Sequence, residues 1–161
     1  MKIERATKNA ISGINELLRQ VLSVHHEGRP DLFKGDTKKY TDSELEKIIE
    51  DDFRPIFVAR ETSAADEKCE ILGYAFCVLE QHKDDNILTD IKTLYIDDLC
   101  VDEKKRGNHI GKSIFEYVVN YAKEINCYNV TLNVWECNPS AKKFYEKCGL
   151  VPYKIGMEKI L

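Results

Sequence analysis

Several things are scarce in this sequence, and each scarcity excludes something. In 161 residues no apolar run approaches the ~18–20 needed to cross a bilayer, so no membrane span is expected. Met1-Lys2-Ile3-Glu4-Arg5 lacks an apolar stretch of signal-peptide length, which makes the cytoplasm the expected compartment. Basic residues are outnumbered, 24 to 28, for a formal charge of −4. A nucleic-acid binder needs a basic face, so nucleic acid is not an expected partner. The imbalance mildly favours cationic partners. The six cysteines include no Cys-x-x-Cys, and the four histidines add no zinc-ligand spacing. No metal is expected, and the thiols read as reduced and mostly buried. No repeat, low-complexity segment or linker divides the chain, so residues 1–161 read as one domain. Its 43% apolar and 32% charged residues suit a globular fold with a real core.

Periodicity supplies the elements. Ile3–Ala6 reads as a short strand. Asn9 to about His26 reads as a helix, with Ile11, Ile14, Leu17, Leu18, Val21 and Leu22 at helical spacing. Gly28 and Pro30 break it, leaving His25-His26 as a solvated helix end. Thr41 or Ser43 caps a second helix, with Glu44 or Glu46 three residues on and an apolar face of Leu45, Ile48 and Ile49. Ile56–Ala59 and Ile71–Leu79 read as strands joined through a loop at Glu61–Lys68. Ile91–Val101 is a further strand, interrupted by Asp97-Asp98. Ile110, Ile114, Val118, Tyr121 and Ile125 form the stripe of a third helix. Val130–Trp135 is a strand. Asn138-Pro139 opens a short helix that Gly149 stops. Two last strands are expected at Leu150–Tyr153 and Met157–Leu161. This order predicts an α/β (α+β) sandwich on a mixed sheet.

Chemistry concentrates between residues 99 and 113. The strand end Leu99-Cys100-Val101 runs into the basic loop Asp102-Glu103-Lys104-Lys105-Arg106-Gly107-Asn108-His109, then into Ile110-Gly111-Lys112-Ser113 of the third helix. A helix start carries unpaired N–H groups and favours anions. Glycine lets backbone approach a phosphate closely, and Lys104, Lys105, Arg106 and Lys112 add charge. A phosphate site is the functional reading; a capped helix beside a solvated basic turn is the plainer one. Gly107-Asn108-His109-Ile110-Gly111-Lys112-Ser113 is one residue short of a P-loop, which excludes that use.

Arg106-Gly107-Asn108-His109-Ile110-Gly111 resembles the pyrophosphate motif Arg/Gln-x-x-Gly-x-Gly/Ala of the GNAT family of N-acetyltransferases. Asn133-Val134-Trp135-Glu136-Cys137-Asn138-Pro139-Ser140-Ala141-Lys142-Lys143-Phe144-Tyr145-Glu146-Lys147-Cys148-Gly149-Leu150 resembles that family's strand-Asn-helix segment. The element order is also similar over nearly the whole chain. The resemblance implies about seven mostly antiparallel strands, splayed in the middle and flanked by four helices. It implies acetyl-CoA as co-substrate, with no metal, and direct acetyl transfer to a primary amine in a ternary complex.

By this resemblance, pantetheine pairs with Leu99, Cys100 and Val101, and the N–H of Val101 or Cys100 polarises the thioester. Pyrophosphate lies on Arg106, Gly107, Asn108, His109, Ile110, Gly111 and Lys112. His109 departs from the family glycine; its side chain would crowd the phosphate, donate to it or point to solvent. Asn138 matches a coenzyme-contacting position, and Tyr145 matches the general acid. Tyr95-Ile96-Asp97-Asp98-Leu99-Cys100-Val101 resembles the diamine acetyltransferase branch, where Asp97 aligns with an acid that assists deprotonation. Strand alternation sends Asp97 and Asp98 to opposite faces, unless a bulge intervenes. The acceptor site is expected from His25, His26, Glu27, Asp31–Phe33 and the 83–90 hairpin, with Asp84-Asp85 adding negative charge. The expected acceptor is a small cationic amine. Protein N-termini or lysines, and a non-catalytic coenzyme A-binding domain, stand as alternatives, and a homodimer is a further family expectation.

Overall fold

The structure, a computed structural model, describes residues 1–61 and 70–161. The loop expected at Glu61–Lys68 lies, beyond Glu61, outside the described residues. Strands β1 (Lys2–Arg5), β2 (Ile56–Arg60), β3 (Ile71–Gln81) and β4 (Lys92–Val101) pair antiparallel in chain order. Strand β5 (Asn129–Leu132) adds parallel to β4, giving the order β1-β2-β3-β4-β5. The parallel pair needs a crossover, and helix α3 (Ile110–Glu124) provides it.

Side-chain alternation divides the core into two layers. Ile56, Val58, Tyr74 and Phe76 face helices α1 (Ile11–Gly28) and α2 (Asp42–Ile49), meeting Ile14, Leu17, Leu18, Leu45 and Ile48. Phe57, Ala59, Ala75, Cys77, Leu94 and Ile96 face α3, meeting Ile110, Ile114, Phe115, Val118 and Ala122. Fully burying one such side chain stabilises by about 1.5–3 kcal/mol, so these stripes outweigh local propensity. Thr41 is the residue that caps α2. Its hydroxyl accepts from the Glu44 N–H, and the Glu44 carboxylate accepts from the Thr41 N–H. Buried Asn15 donates to Asp42 at 2.8 Å and ties α1 to the start of α2. Helix α4 (Pro139–Lys147) is capped by Asn138, has Pro at its start and ends at Gly149, whose φ is +90°.

Among the described residues the sheet has five strands, not about seven. Residues 151–161 make no backbone–backbone hydrogen bond and are exposed throughout, so neither final strand has a partner. A strand is defined by its ladder, and Pro152 also lacks a donor. β5 ends at Leu132 rather than Trp135, because its partner strand turns away after Ile96. The histidines correct another expectation. His25 and His26 are half-buried, with the His25 ring 4.9 Å from Phe33 and His26 Nδ1 2.7 Å from the Phe33 carbonyl. They brace the α1–α2 connection instead of forming a solvated end. The five described cysteines are free thiols; Cys77 and Cys100 are buried, and Cys137 is exposed.

Candidate active site

The sheet splays where β4 and β5 part. Their pairing stops at Ile96 opposite Leu132. In the same place the β3–β4 register slips: Cys77 opposes Ile96, while Phe76 opposes Asp98. Asp97 is therefore the extra residue of a β-bulge. Burial shows its effect on facing. Before the bulge, Leu94 and Ile96 pack toward α3; beyond it, Leu99 and Val101 do, while Cys100 packs toward α1. Asp97 and Asp98 do not point to opposite faces as simple alternation predicts. Both carboxylates reach one ammonium, that of Lys39, at 3.0 and 3.5 Å.

Beyond the bulge the β5 side of β4 is open. The Asp102 N–H donates to the Leu72 carbonyl at 3.0 Å, which fixes the phase of the ladder. Backbone groups alternate along a strand, so Cys100 also turns toward β3, whereas Leu99 and Val101 turn toward the gap. The Val101 carbonyl there accepts from Arg106 Nε at 3.2 Å. The Cys100 thiol is buried, 3.8 Å from the Leu17 carbonyl.

The basic loop leads into α3 through two left-handed residues, Gly107 at φ +84° and His109 at φ +60°. His109 is exposed and its side chain makes no cap. Asn108 braces the turn by donating to the Lys105 carbonyl. Ser113 N–H makes an early intrahelical bond, to the His109 carbonyl, so the N–H groups of Ile110, Gly111 and Lys112 precede the ladder. A Cβ on Gly111 would lie 3.4 Å from both Val101 and the Phe144 ring, so α4 and β4 close tightly on this helix start. Lys105 is paired with Glu70 and Lys112 with Glu116.

On the α1 face of the gap lies a polar cluster with aromatic walls. The hydroxyl of fully buried Tyr74 donates to Asp98 at 3.1 Å. Lys39 lies over the rings of Tyr40 and Phe76, at 5.4 and 5.9 Å. Burial pushes the Asp98 carboxyl above its ordinary range, against the pull of Lys39 and Tyr74. Burial also works to lower Lys39, but Asp98 and Asp97 overcome it and hold the ammonium above the usual lysine value. Burial lowers His25, opposed by Asp98. Asn133 donates to the Tyr95 hydroxyl at 3.1 Å, bridging the two sides of the gap, and Trp135 meets Phe33 edge-on at 5.3 Å.

Tyr145 approaches from α4. Burial, then the charge of Asp98, pushes its phenol above the ordinary value, so it remains protonated. Phe144 beside it is the packing residue that touches Gly111. The Asn138 side-chain oxygen Oδ1 is occupied, accepting from the Ala141 N–H and the Ser140 hydroxyl. Asp85 is likewise used within its own turn, accepting from the N–H groups of Ile87 and Leu88. No motif assigns a role to Lys39 or Tyr74, and Tyr95 stands in the acid-pair stretch without a role of its own. An acid pair inside a strand demands a counter-charge, and that demand was the available signal.

Comparison with known proteins identifies the family and the fold. The acetyltransferase (GNAT) family profile matches residues 21–150. A glucosamine 6-phosphate N-acetyltransferase of Arabidopsis thaliana is 38% identical over 68 residues, a stretch covering 42% of this chain and 44% of that enzyme. The solved structure of the Arabidopsis enzyme superposes with a TM-score of 0.70 and 27% identity, covering 99% of this chain and 97% of that one. A variant of the BH1408 protein of Bacillus halodurans superposes with a TM-score of 0.90 and 31% identity over the whole of both chains. The profile match spans most of the sequence, and the chain belongs to the acetyltransferase (GNAT) family.

Proposed function

We propose that this chain is an acetyl-CoA-dependent N-acetyltransferase whose acceptor is a small cationic primary amine. The supporting observation is the acid pair at the apex of the splay, Asp97 and Asp98, which already holds one primary ammonium, Lys39, beside the Tyr40 and Phe76 rings. Acetyl-CoA supplies the acetyl group as co-substrate. Residues that fit it are the open backbone of Leu99, the Val101 N–H, the free N–H groups at Ile110, Gly111 and Lys112, and the charges of Lys104 and Arg106. With the Val101 carbonyl engaged by Arg106, the Val101 N–H is the donor for a developing oxyanion. Asp98 and Asp97 hold the acceptor ammonium at the apex and take its proton. The amine nitrogen then attacks the thioester carbon, and the C–S bond breaks as Tyr145 donates toward sulfur. A free thiol titrates near 8.5, below this phenol, so Tyr145 assists by hydrogen bonding more than by complete transfer. Its share of the rate is then near the low end of the ~10²–10⁴ typical of acid–base assistance.

The test is turnover of acetyl-CoA over a panel of polyamines, aminoglycosides, amino acids, glucosamine 6-phosphate and peptides. Detection is by mass, because exposed Cys137 would react with a thiol reagent. The reading expects a +42 Da product on a small amine. Turnover of peptides alone would reassign it to protein acetylation. Coenzyme binding without any product would reassign it to a binding domain. Glucosamine 6-phosphate is in the panel because curated relatives act on it.

We also infer a homodimer, from residues 151–161. Val151, Tyr153, Ile155 and Met157 alternate like a strand and are exposed, and among the described residues β5 has no second neighbour in the sheet. Unpaired apolar segments and open edges invite exchange between copies. Light scattering on the full chain is expected to give twice its 18.6 kDa mass. A chain ending at Leu150 should be monomeric; a monomeric full chain refutes the dimer. Among the described residues no helix is long and apolar enough to cross a membrane, and cytoplasmic location remains the expected compartment.

A further inference from the structure

We propose that the Lys39 ammonium is a tethered stand-in for the acceptor's ammonium: it holds the Asp97/Asp98 pair in the free enzyme, and the acceptor displaces it. The inference rests on the acid pair being the amine subsite and adds what governs access to it. Lys39 lies in the connection between α1 and α2, far from the acids in sequence, and belongs to neither helix. Its nitrogen is 3.0 Å from Asp97 Oδ2 and 3.5 Å from Asp98 Oδ2, and it sits beside the Tyr40 and Phe76 rings. A primary ammonium held by two carboxylates against aromatic faces is the chemistry an acceptor amine would need there. Both cannot occupy it at once. The Lys39 side chain is still 36% exposed, so it has a route back to water, whereas Asp98 is 9% exposed and stays.

The stand-in explains how a mostly buried carboxylate is tolerated in the empty enzyme. A lone buried charge is costly, and Lys39 with the Tyr74 hydroxyl offsets that cost until a substrate arrives. It also makes charge the selection rule. An acceptor must bring its own ammonium to compensate Asp97 and Asp98 once Lys39 leaves, so a neutral amine surrogate cannot displace it. The titratable groups facing the pair are His25, Lys39, Cys100 and the Tyr74, Tyr95 and Tyr145 hydroxyls, and of these only Lys39 carries a permanent positive charge near neutral pH.

The test is calorimetric titration of the coenzyme A-loaded full-length protein with 1,4-diaminobutane, in wild type, Lys39→Met, Lys39→Arg and Asp98→Asn. Removing a tethered competitor should tighten diamine binding by roughly tenfold, the scale set by a partly exposed pair and a tether at millimolar effective concentration. Lys39→Arg keeps the competitor and should bind like wild type. Lys39→Gln serves in place of Lys39→Met if melting shows the latter unfolded. Coenzyme affinity should stay constant across the lysine variants. Diamine binding unchanged or weakened in Lys39→Met overturns the proposal and makes Lys39 a loop anchor or an acceptor ligand. Loss of the amine subsite reading looks different: Asp98→Asn would then bind the diamine as well as wild type does. Because the readout is binding, absence of turnover leaves the result interpretable.

Discussion

His109 offers the most direct test of the phosphate-site geometry. It caps α3 at φ +60°, ψ 8°, in the left-handed region, with an exposed ring and no side-chain cap bond. For an L-residue that conformation costs about 1–2 kcal/mol, whereas glycine adopts it freely. Glycine also loses about 0.5–1 kcal/mol more chain entropy on folding. His109→Gly is therefore expected to stabilise by a net ~0.5–1 kcal/mol, raising Tm by about 1–4 °C for a chain of this size. His109→Ala isolates the cause. It removes the ring but keeps a Cβ at the same φ, so it should gain nothing. The Gly–Ala gap should be about 1 kcal/mol. Thermal unfolding followed by circular dichroism, with and without coenzyme A, reads both variants. Equal melting of the two would refute the backbone argument. The same variants decide what the ring does for phosphate. A solvated ring leaves coenzyme affinity within about twofold in His109→Ala, a crowding ring gives tighter binding, and a donating ring gives weaker binding.

The other predictions concern the gap. Tyr145→Phe should lower kcat by roughly 10²-fold with both KM values nearly unchanged, measured by mass-detected turnover. For Asp98, burial raises the folded pKa, so the folded protein holds that proton more tightly than the unfolded chain. Its contribution to stability is therefore present below the unfolded value and declines as pH rises through the folded one. Asp98→Asn should remove this slope from a plot of melting against pH, and should abolish acceptor binding at neutral pH. Acceptor kcat/KM in wild type should fall on acidification at a pH above the ordinary carboxylate range, as Asp98 gains its proton. Gly73→Ala should destabilise by about 1–3 kcal/mol in urea unfolding, because its Cβ would meet the Cys100 carbonyl at 2.7 Å and Ile114 Cδ1 at 2.8 Å.

What was legible in the sequence was local. The Thr41–Glu44 capping box, the Asn138-Pro139 start and the Gly149 stop each depend on groups within four residues, and each is realised. The α3 stripe reads directly because apolar spacing and burial share one period. Asp97-Asp98 was legible as an anomaly, but its direction was not. That depends on where β4 slips against β3, a register set by contacts on other elements. Lys39 was illegible for the same reason: its partners are 58 and 59 residues away, and Lys34 and Lys38 lie in the same polar stretch. The final segment failed differently. Its alternation is real, but a period of two says which residues share a face, not whether another strand is there to pair with.

One inserted residue accounts for most of the site. Without the bulge, β4 would keep its even positions on the α3 side from Leu94 onward, and Asp98 and Cys100 would point into the layer of Ile114, Phe115 and Val118. An ionised carboxylate there would have no donor, at a cost of several kcal/mol. The extra residue moves the change of face to Asp97. Apolar Leu99 and Val101 then take the α3 side, and both acids fall where Lys39 and Tyr74 can serve them. At the same point the β4–β5 ladder stops, after Ile96, and leaves the outward groups of Leu99 and the Val101 N–H without a strand partner at the gap. Open backbone, paired carboxylates and the opening between them therefore meet at one bulge. The acid pair and the open edge adjoin because the β3–β4 register slip and the end of the β4–β5 ladder fall on the same residues, between Ile96 and Asp98.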